Sequence, residues 1–125
     1  MNNLDRLRLA GSLVLLGLLI VAGCAAIGPS PVPTAETLRA ARMVERDEDF
    51  AGLRRGRAIL LTECTACHRL FEPAEHSAEE WRDILPEMVA RTSIGREGAR
   101  DLEEYLVRAS SFVGNAASGQ GRAWR

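Results

Sequence analysis

Cys64-Thr65-Ala66-Cys67-His68 puts two thiols and an imidazole within five consecutive residues. Thiols three residues apart lie almost one helical turn from each other, so both sulfurs can meet the same edge of a flat ligand. An imidazole directly after the second thiol is placed to give a ring nitrogen to a metal at that ligand's centre. C-x-x-C-H is the spacing at which thiols add across haem vinyl groups to form thioethers, with the His as proximal iron ligand. One such motif predicts one covalently bound haem c, held by Cys64 and Cys67 and ligated by His68.

Two other chemistries share part of this pattern. A structural zinc site needs about four ligands; Cys64, Cys67, His68 and His76 are the candidates, but adjacent Cys67 and His68 fit a tetrahedral site poorly. A thioredoxin-like dithiol expects a βαβ pattern around it, and no strand run occurs in the sequence. The haem reading also agrees with what precedes the motif.

Arg6 and Arg8 open a short positive region, and Leu13 to Ala22 is apolar over the length of a secretory signal, shorter than the ~20 residues of a spanning helix. The run ends in Val21-Ala22-Gly23-Cys24, which resembles the bacterial lipoprotein signal. That resemblance implies cleavage after residue 23, acylation of Cys24, and a place in the bacterial cell envelope facing the periplasm. Ala25 stands where the well-known inner-membrane retention signal carries Asp, which favours the outer membrane. The third cysteine is thereby accounted for, and no disulfide is needed.

The 125-residue chain has length for one small domain. Its formal charge of −1 becomes −2 once Arg6, Arg8 and Asp5 leave with the leader, and no basic excess remains to bind nucleic acid. Aromatics make up 5% of the chain, so a small core gains from a large apolar body such as a porphyrin. All basic residues are Arg, which reads as compositional bias.

Residues 24–34 read as an acylated Cys and a linker, with Pro29, Pro31 and Pro33 favouring extended polyproline II structure. Residues 35–112 read as an all-α domain and 113–125 as a disordered tail. Thr34 is placed to cap a helix from Ala35 to about Glu45. A second helix is expected from near Asp49 to about Thr62, carrying Phe50, Leu53, Leu60 and Leu61 at helical spacing. Ser77-Ala78-Glu79-Glu80 is a capping box opening a third, with Trp81, Ile84, Leu85, Met88 and Val89 on one apolar face. Pro86 should bend or split that helix. A last helix is expected from about Arg96 to Ser110.

Gly56-Arg57-Ala58-Ile59-Leu60-Leu61-Thr62-Glu63 leading into Cys64, with Tyr105-Leu106 near the end, resembles the N- and C-terminal helices of bacterial cytochromes c. The resemblance implies a small helical domain wrapped around one haem, with Gly56 letting the two helices approach. Leu70, Phe71 and Trp81 are then expected as haem-pocket walls. The sixth iron ligand is open among Met88, His76 and Met43 on spacing alone. Small cytochromes c that carry a Trp-bearing helix followed by Met on that helix are similar to Trp81 and Met88 here, 21 residues beyond Cys67. The resemblance therefore favours Met88, with His76 the alternative and Met43 as packing.

A His/Met pair raises the reduction potential. The expected function is single-electron transfer by a membrane-anchored carrier between redox proteins: an oxidase, a reductase or a dehydrogenase. No enzymatic activity and no small-molecule substrate are expected. The alternative is a haem-based sensor or a peroxidase-like enzyme with an open distal site; a third reading is a thiol redox lipoprotein without haem.

Overall fold

Four helices and two 3₁₀ turns carry residues 30–119, the part of the chain that the computed structural model describes. The leader, Cys24 and the end of the tail lie outside the described residues. The helices are α1 (Ala35–Ala40), α2 (Asp47–Thr62), α3 (Ala78–Val89) and α4 (Gly95–Ala117); the turns are Cys64–Ala66 and Pro73–Glu75. About 70% of the described residues are helical and none is in a strand, so the fold is all-α. No helix among the described residues is long and apolar enough to cross a membrane.

Local chemistry sets the helix ends. Thr34 Oγ1 accepts from Thr37 N at 3.1 Å, as its spacing predicts. The expected run to Glu45 stops early, at Ala40. Arg42 takes the left-handed conformation at φ 57°. The Arg42 N–H returns to the Arg39 carbonyl and Met43 N–H to the Leu38 carbonyl, each at 2.9 Å. These are the two bonds of a Schellman close. Periodicity does not report such a stop when Arg, rather than Gly, occupies the left-handed position.

Helix α2 begins at Asp47, slightly before the expected start, with Asp47, Glu48 and Asp49 at its electropositive end. Helix α3 has the predicted capping box: Glu80 N donates to Ser77 Oγ at 3.2 Å, and Ser77 N to Glu80 Oε2 at 2.7 Å. It continues through Pro86 unbroken. Arg82 and Pro86 are both exposed, so water can take the carbonyl that the proline leaves without a donor. Helix α4 runs through Ala117, so residues 113–117, expected in the tail, are helical. A single Gly114 costs a helix only about 1 kcal/mol. Ser110 and Ser111 satisfy their hydroxyls on the Val107 carbonyl at 3.0 and 2.9 Å.

The core forms where α2 crosses α4. Leu53, Leu60, Leu102, Tyr105 and Leu106 are all at most 2% exposed. The approach is closest at Gly56, where a Cβ would stand 2.0 Å from the Asp101 carbonyl oxygen and 2.9 Å from Tyr105 Cβ. One turn earlier, a Cβ on Gly52 would stand 2.9 Å from Asp101 Oδ1. The two glycines thus clear one groove for Asp101, whose 5%-exposed carboxylate accepts from Arg55 Nε at 2.6 Å.

Tyr105 decides where the domain begins. Its hydroxyl is buried and donates to the Pro33 carbonyl at 2.8 Å; burial pushes the phenol up to about 12. Val32 and Pro33 are buried with it. Residues expected to end the linker therefore belong to the core, because a buried phenol requires an acceptor and the Pro33 carbonyl supplies it.

The crossing gives one substitution opposite signs at two sites. Gly56→Ala pushes a methyl into backbone and should lower stability by about 2 kcal/mol net of its helix-propensity gain. Gly114→Ala, with nothing within 4 Å of its Cβ, should raise stability by about 0.5–1 kcal/mol. Urea midpoints of the two variants check the pair.

Candidate functional site

Helix α2 delivers the motif. It ends at Thr62, and the chain tightens directly into the 3₁₀ turn Cys64–Ala66. Thr62 Oγ1 donates to the Ala58 carbonyl at 2.9 Å; Thr65 Oγ1 donates to the Leu61 and Thr62 carbonyls at 2.9 and 3.1 Å. A residue between the two cysteines thus satisfies carbonyls that the helix end leaves open. Both thiols are free. Cys67 is exposed and Cys64 half-buried; burial, then the neighbouring Glu63 charge, pushes the Cys64 thiol up.

A cleft of about 600 Å³ opens between this corner and α3. Glu63, Cys64, Cys67, His68 and Phe71 line one side; Asp83, Ile84, Glu87, Met88, Arg91 and Thr92 line the other. The volume lies within the ~300–1,000 Å³ of small-molecule and cofactor sites. His68 Nδ1 stands 2.6 Å from the Arg69 carbonyl oxygen. That oxygen can only accept, so Nδ1 donates to it, and in the neutral ring this bond leaves the Nε2 lone pair for a metal.

The structure brings Cys64, Cys67, His68, Phe71 and Met88 together and separates them from the other expected site residues. Trp81 and Met88, seven residues apart, point within about 20° of one direction but stand ~10 Å apart along the helix axis. Trp81 lies where α3 and the Pro73–Glu75 turn pack on α4. It is 1% exposed and donates from Nε1 to the Pro73 carbonyl at 2.8 Å. It supports the cleft without lining it. Leu70 and Met43 pack against the core and do not line the cleft.

His76 is also outside the lining. It is third in an aromatic row: His68 to Phe71 at 4.6 Å, Phe71 to His76 at 6.3 Å, and His76 to Trp81 at 4.8 Å and 80°. Among the described residues no group of three or more His, Cys, Asp or Glu is arranged to hold a bare metal ion. The gathered donors are instead two free thiols, the His68 imidazole and a thioether, beside Phe71 and Ile84. That donor set fits a covalently attached haem.

Two features of the site were not singled out in the sequence. Arg91 donates to Glu87 Oε1 at 2.7 Å on the cleft rim, an i,i+4 pair that charge patterning on α3 could have found. Glu72-Pro73-Ala74-Glu75 forms a capping box with Pro at its first position. Glu at the cap makes that box hard to recognise, because Ser, Thr, Asp and Asn are the usual residues there.

No protein-family model, curated protein or solved structure matches the chain. The likeness to bacterial cytochromes c therefore rests on the motif residues themselves.

Arg69 and the Glu72 backbone N–H hold the Glu75 carboxyl at about 2, well below the ordinary 4.5. A carboxyl depressed by folding stabilises above its unfolded value, and that contribution is lost as pH falls through the folded value. Wild type should therefore melt higher than Glu75→Gln from pH 7 down to about pH 5. The difference should shrink below pH 4.5 and vanish only below pH 2, the folded value, where wild type also carries a neutral side chain. Paired thermal melts across that range check it.

Proposed function

We propose that this chain is an electron carrier, a monohaem c-type cytochrome held to a membrane by lipid. The observation that carries the proposal is the meeting of Cys64, Cys67, His68 and Met88 at one cleft of cofactor size. When bound, the haem supplies an iron that takes up and releases one electron. The chain's own residues do the rest. Cys64 and Cys67 provide the sulfurs of two thioether links. His68 offers Nε2 from a ring whose other nitrogen is occupied by the Arg69 carbonyl. Met88 offers a thioether from the opposite side of the cleft, and thioether ligation favours the reduced state and a high potential. Phe71 and Ile84 give the cleft apolar walls against which a porphyrin would pack. No substrate is turned over; the partners are an oxidase, a reductase or a dehydrogenase.

The anchor in this proposal is Cys24, in the bacterial envelope and facing the periplasm, with the outer membrane favoured by Ala25. Val32 is already buried in the domain, so few residues separate Cys24 from the core. Eight residues span at most about 30 Å when extended. The linker thus holds the domain close to the bilayer, and a partner must reach it there.

Expressed with cytochrome c maturation machinery, wild type should keep its haem on a denaturing gel, and Cys64→Ala/Cys67→Ala should not. A double variant that retains wild-type helicity and thermal stability would remove haem as the centre of the core. Oxidised wild type should show the weak far-red band of sulfur on ferric haem. Met88→Ala should abolish that band, lower the potential and admit carbon monoxide. Carbon monoxide binding by reduced wild type at neutral pH would replace the carrier with a sensor or peroxidase-like protein.

Cys24→Ser should lose acylation and leave the membrane fraction, or keep its leader. Unchanged mass and partitioning would refute the lipid anchor.

A further inference from the structure

We infer that Arg69 and Glu75 form a clamp that positions the His68 imidazole; the inference rests on the haem reading above. Arg69 Nη1 and Nη2 donate to the two Glu75 carboxylate oxygens, at 2.9 and 2.5 Å. The ion pair itself is a small part of stability, and the Glu75 bond to the Glu72 N–H carries the rest of what Glu75 contributes. The Arg69 side chain is 66% exposed and that of Glu75 30%, and exposed ion pairs add little. Its neighbours point to another role.

The His68 ring is held from two directions, and Arg69 governs both. The first is the Arg69 carbonyl, which accepts from Nδ1 at 2.6 Å. Arg69 Nη1 also donates to the Leu70 carbonyl at 3.1 Å, which fixes the next peptide. The second is the Phe71 ring, 4.6 Å from the imidazole and covered by the Arg69 guanidinium at 4.9 Å.

The other half of the clamp is tied to the core. Glu75 Oε1 accepts from Glu72 N at 2.7 Å, and Glu75 N returns to the Glu72 carbonyl at 2.9 Å. That turn is held by buried Trp81 through the Pro73 carbonyl at 2.8 Å. Order therefore passes from the core to the turn, from Glu75 to Arg69, and from Arg69 to the imidazole. Arg69 and Glu75 are positioning residues.

Donation from Nδ1 to a carbonyl makes an imidazole a stronger electron donor to a metal on its other nitrogen. A stronger donor favours ferric iron. Opening the clamp frees the Arg69 peptide to turn, weakens that bond and raises the potential. Simple removal of charge acts differently: loss of Arg69 would lower the potential and loss of Glu75 would raise it. Arg69→Ala/Glu75→Ala leaves net charge unchanged, so its potential reads the clamp alone.

The test uses the full-length haem-loaded protein, comparing wild type, both single variants and the double variant by potentiometric titration and thermal melting. The double variant should favour ferrous iron about tenfold more than wild type, or ~59 mV for one electron, with a fall in melting temperature no larger than that of Glu75→Ala alone. A double variant at the wild-type potential, with the single variants shifted in opposite directions, would overturn the clamp. So would a fall in stability with no change in potential. If wild type carries no covalent haem, the haem reading fails on its own. The clamp is then read by nitrogen-15 NMR of His-labelled full-length chain as isolated. Exchange of the His68 Nδ1 proton should be at least about tenfold faster in the double variant, and equal exchange would overturn the proposal.

Discussion

Everything on the motif side of this protein hangs from one backbone contact. Where α2 crosses α4, Gly56 has no side chain and the Asp101 carbonyl occupies the room that a Cβ would need. The contact sets the depth of the crossing and leaves the far end of α2 at a defined place. Cys64 begins two residues beyond that end, so the site inherits its position from a helix with little freedom to slide. Helix α4 also receives α3 and the Pro73–Glu75 turn. Both walls of the cleft are therefore referred to one helix, although they are joined to each other by a loop.

Polar groups drawn into the crossing sharpen this arrangement. A carboxylate at 5% exposure is costly without a partner, and the half-exposed Arg55 supplies one while keeping contact with water. Tyr105 uses its hydroxyl to hold Pro33, and Trp81 uses its indole to hold Pro73. Each captures the carbonyl of a proline, in a segment that cannot extend a helix and has no ladder to join. Two large rings thus close the core and also fasten the irregular chain at its edges. One uses the residues just before α1; the other uses the turn that follows His68.

What could be read in advance was what depends on residues close in sequence. Ser77 and Glu80 announce a helix start because the capping box is local; Thr34 does the same, and Gly56 marks a close approach. The rest depended on partners far along the chain or on unusual residues. No local signal reports that Tyr105 will reach Pro33, so residues 32–33 read as linker. Arg42 ends α1 in a conformation usually given to Gly, so that helix read too long. Gly114 read as the beginning of a tail because a glycine weakens a helix, but α4 carries it. The motif corner, Cys64, Cys67 and His68, could be read as a unit because its residues are neighbours in sequence. The walls of the cleft were less legible, because helical spacing reports direction around an axis and says nothing of what covers each turn. Trp81 and Met88 share a direction; only the first lies under α4.

The same distinction explains why one helix serves two environments. Along α3 the apolar stripe begins under α4 and the Pro73–Glu75 turn and ends beside the cysteines. Trp81 and Leu85 are 1% and 4% exposed, whereas Ile84 and Met88 remain partly open to the cleft. The buried turns hold the helix in place, so Met88 projects from an element already fixed at its other end. Its thioether needs no loop closure to face the cleft, and turning the helix that carries it would disturb Trp81 and the bond to Pro73. His68 is fixed through the other side of the same turn, by way of Glu75 and Arg69. Although they stand on opposite walls, the two candidate iron ligands are thus both referred to the Pro73–Glu75 turn, whose place is set by its packing on α4 and by the bond from the buried Trp81 indole.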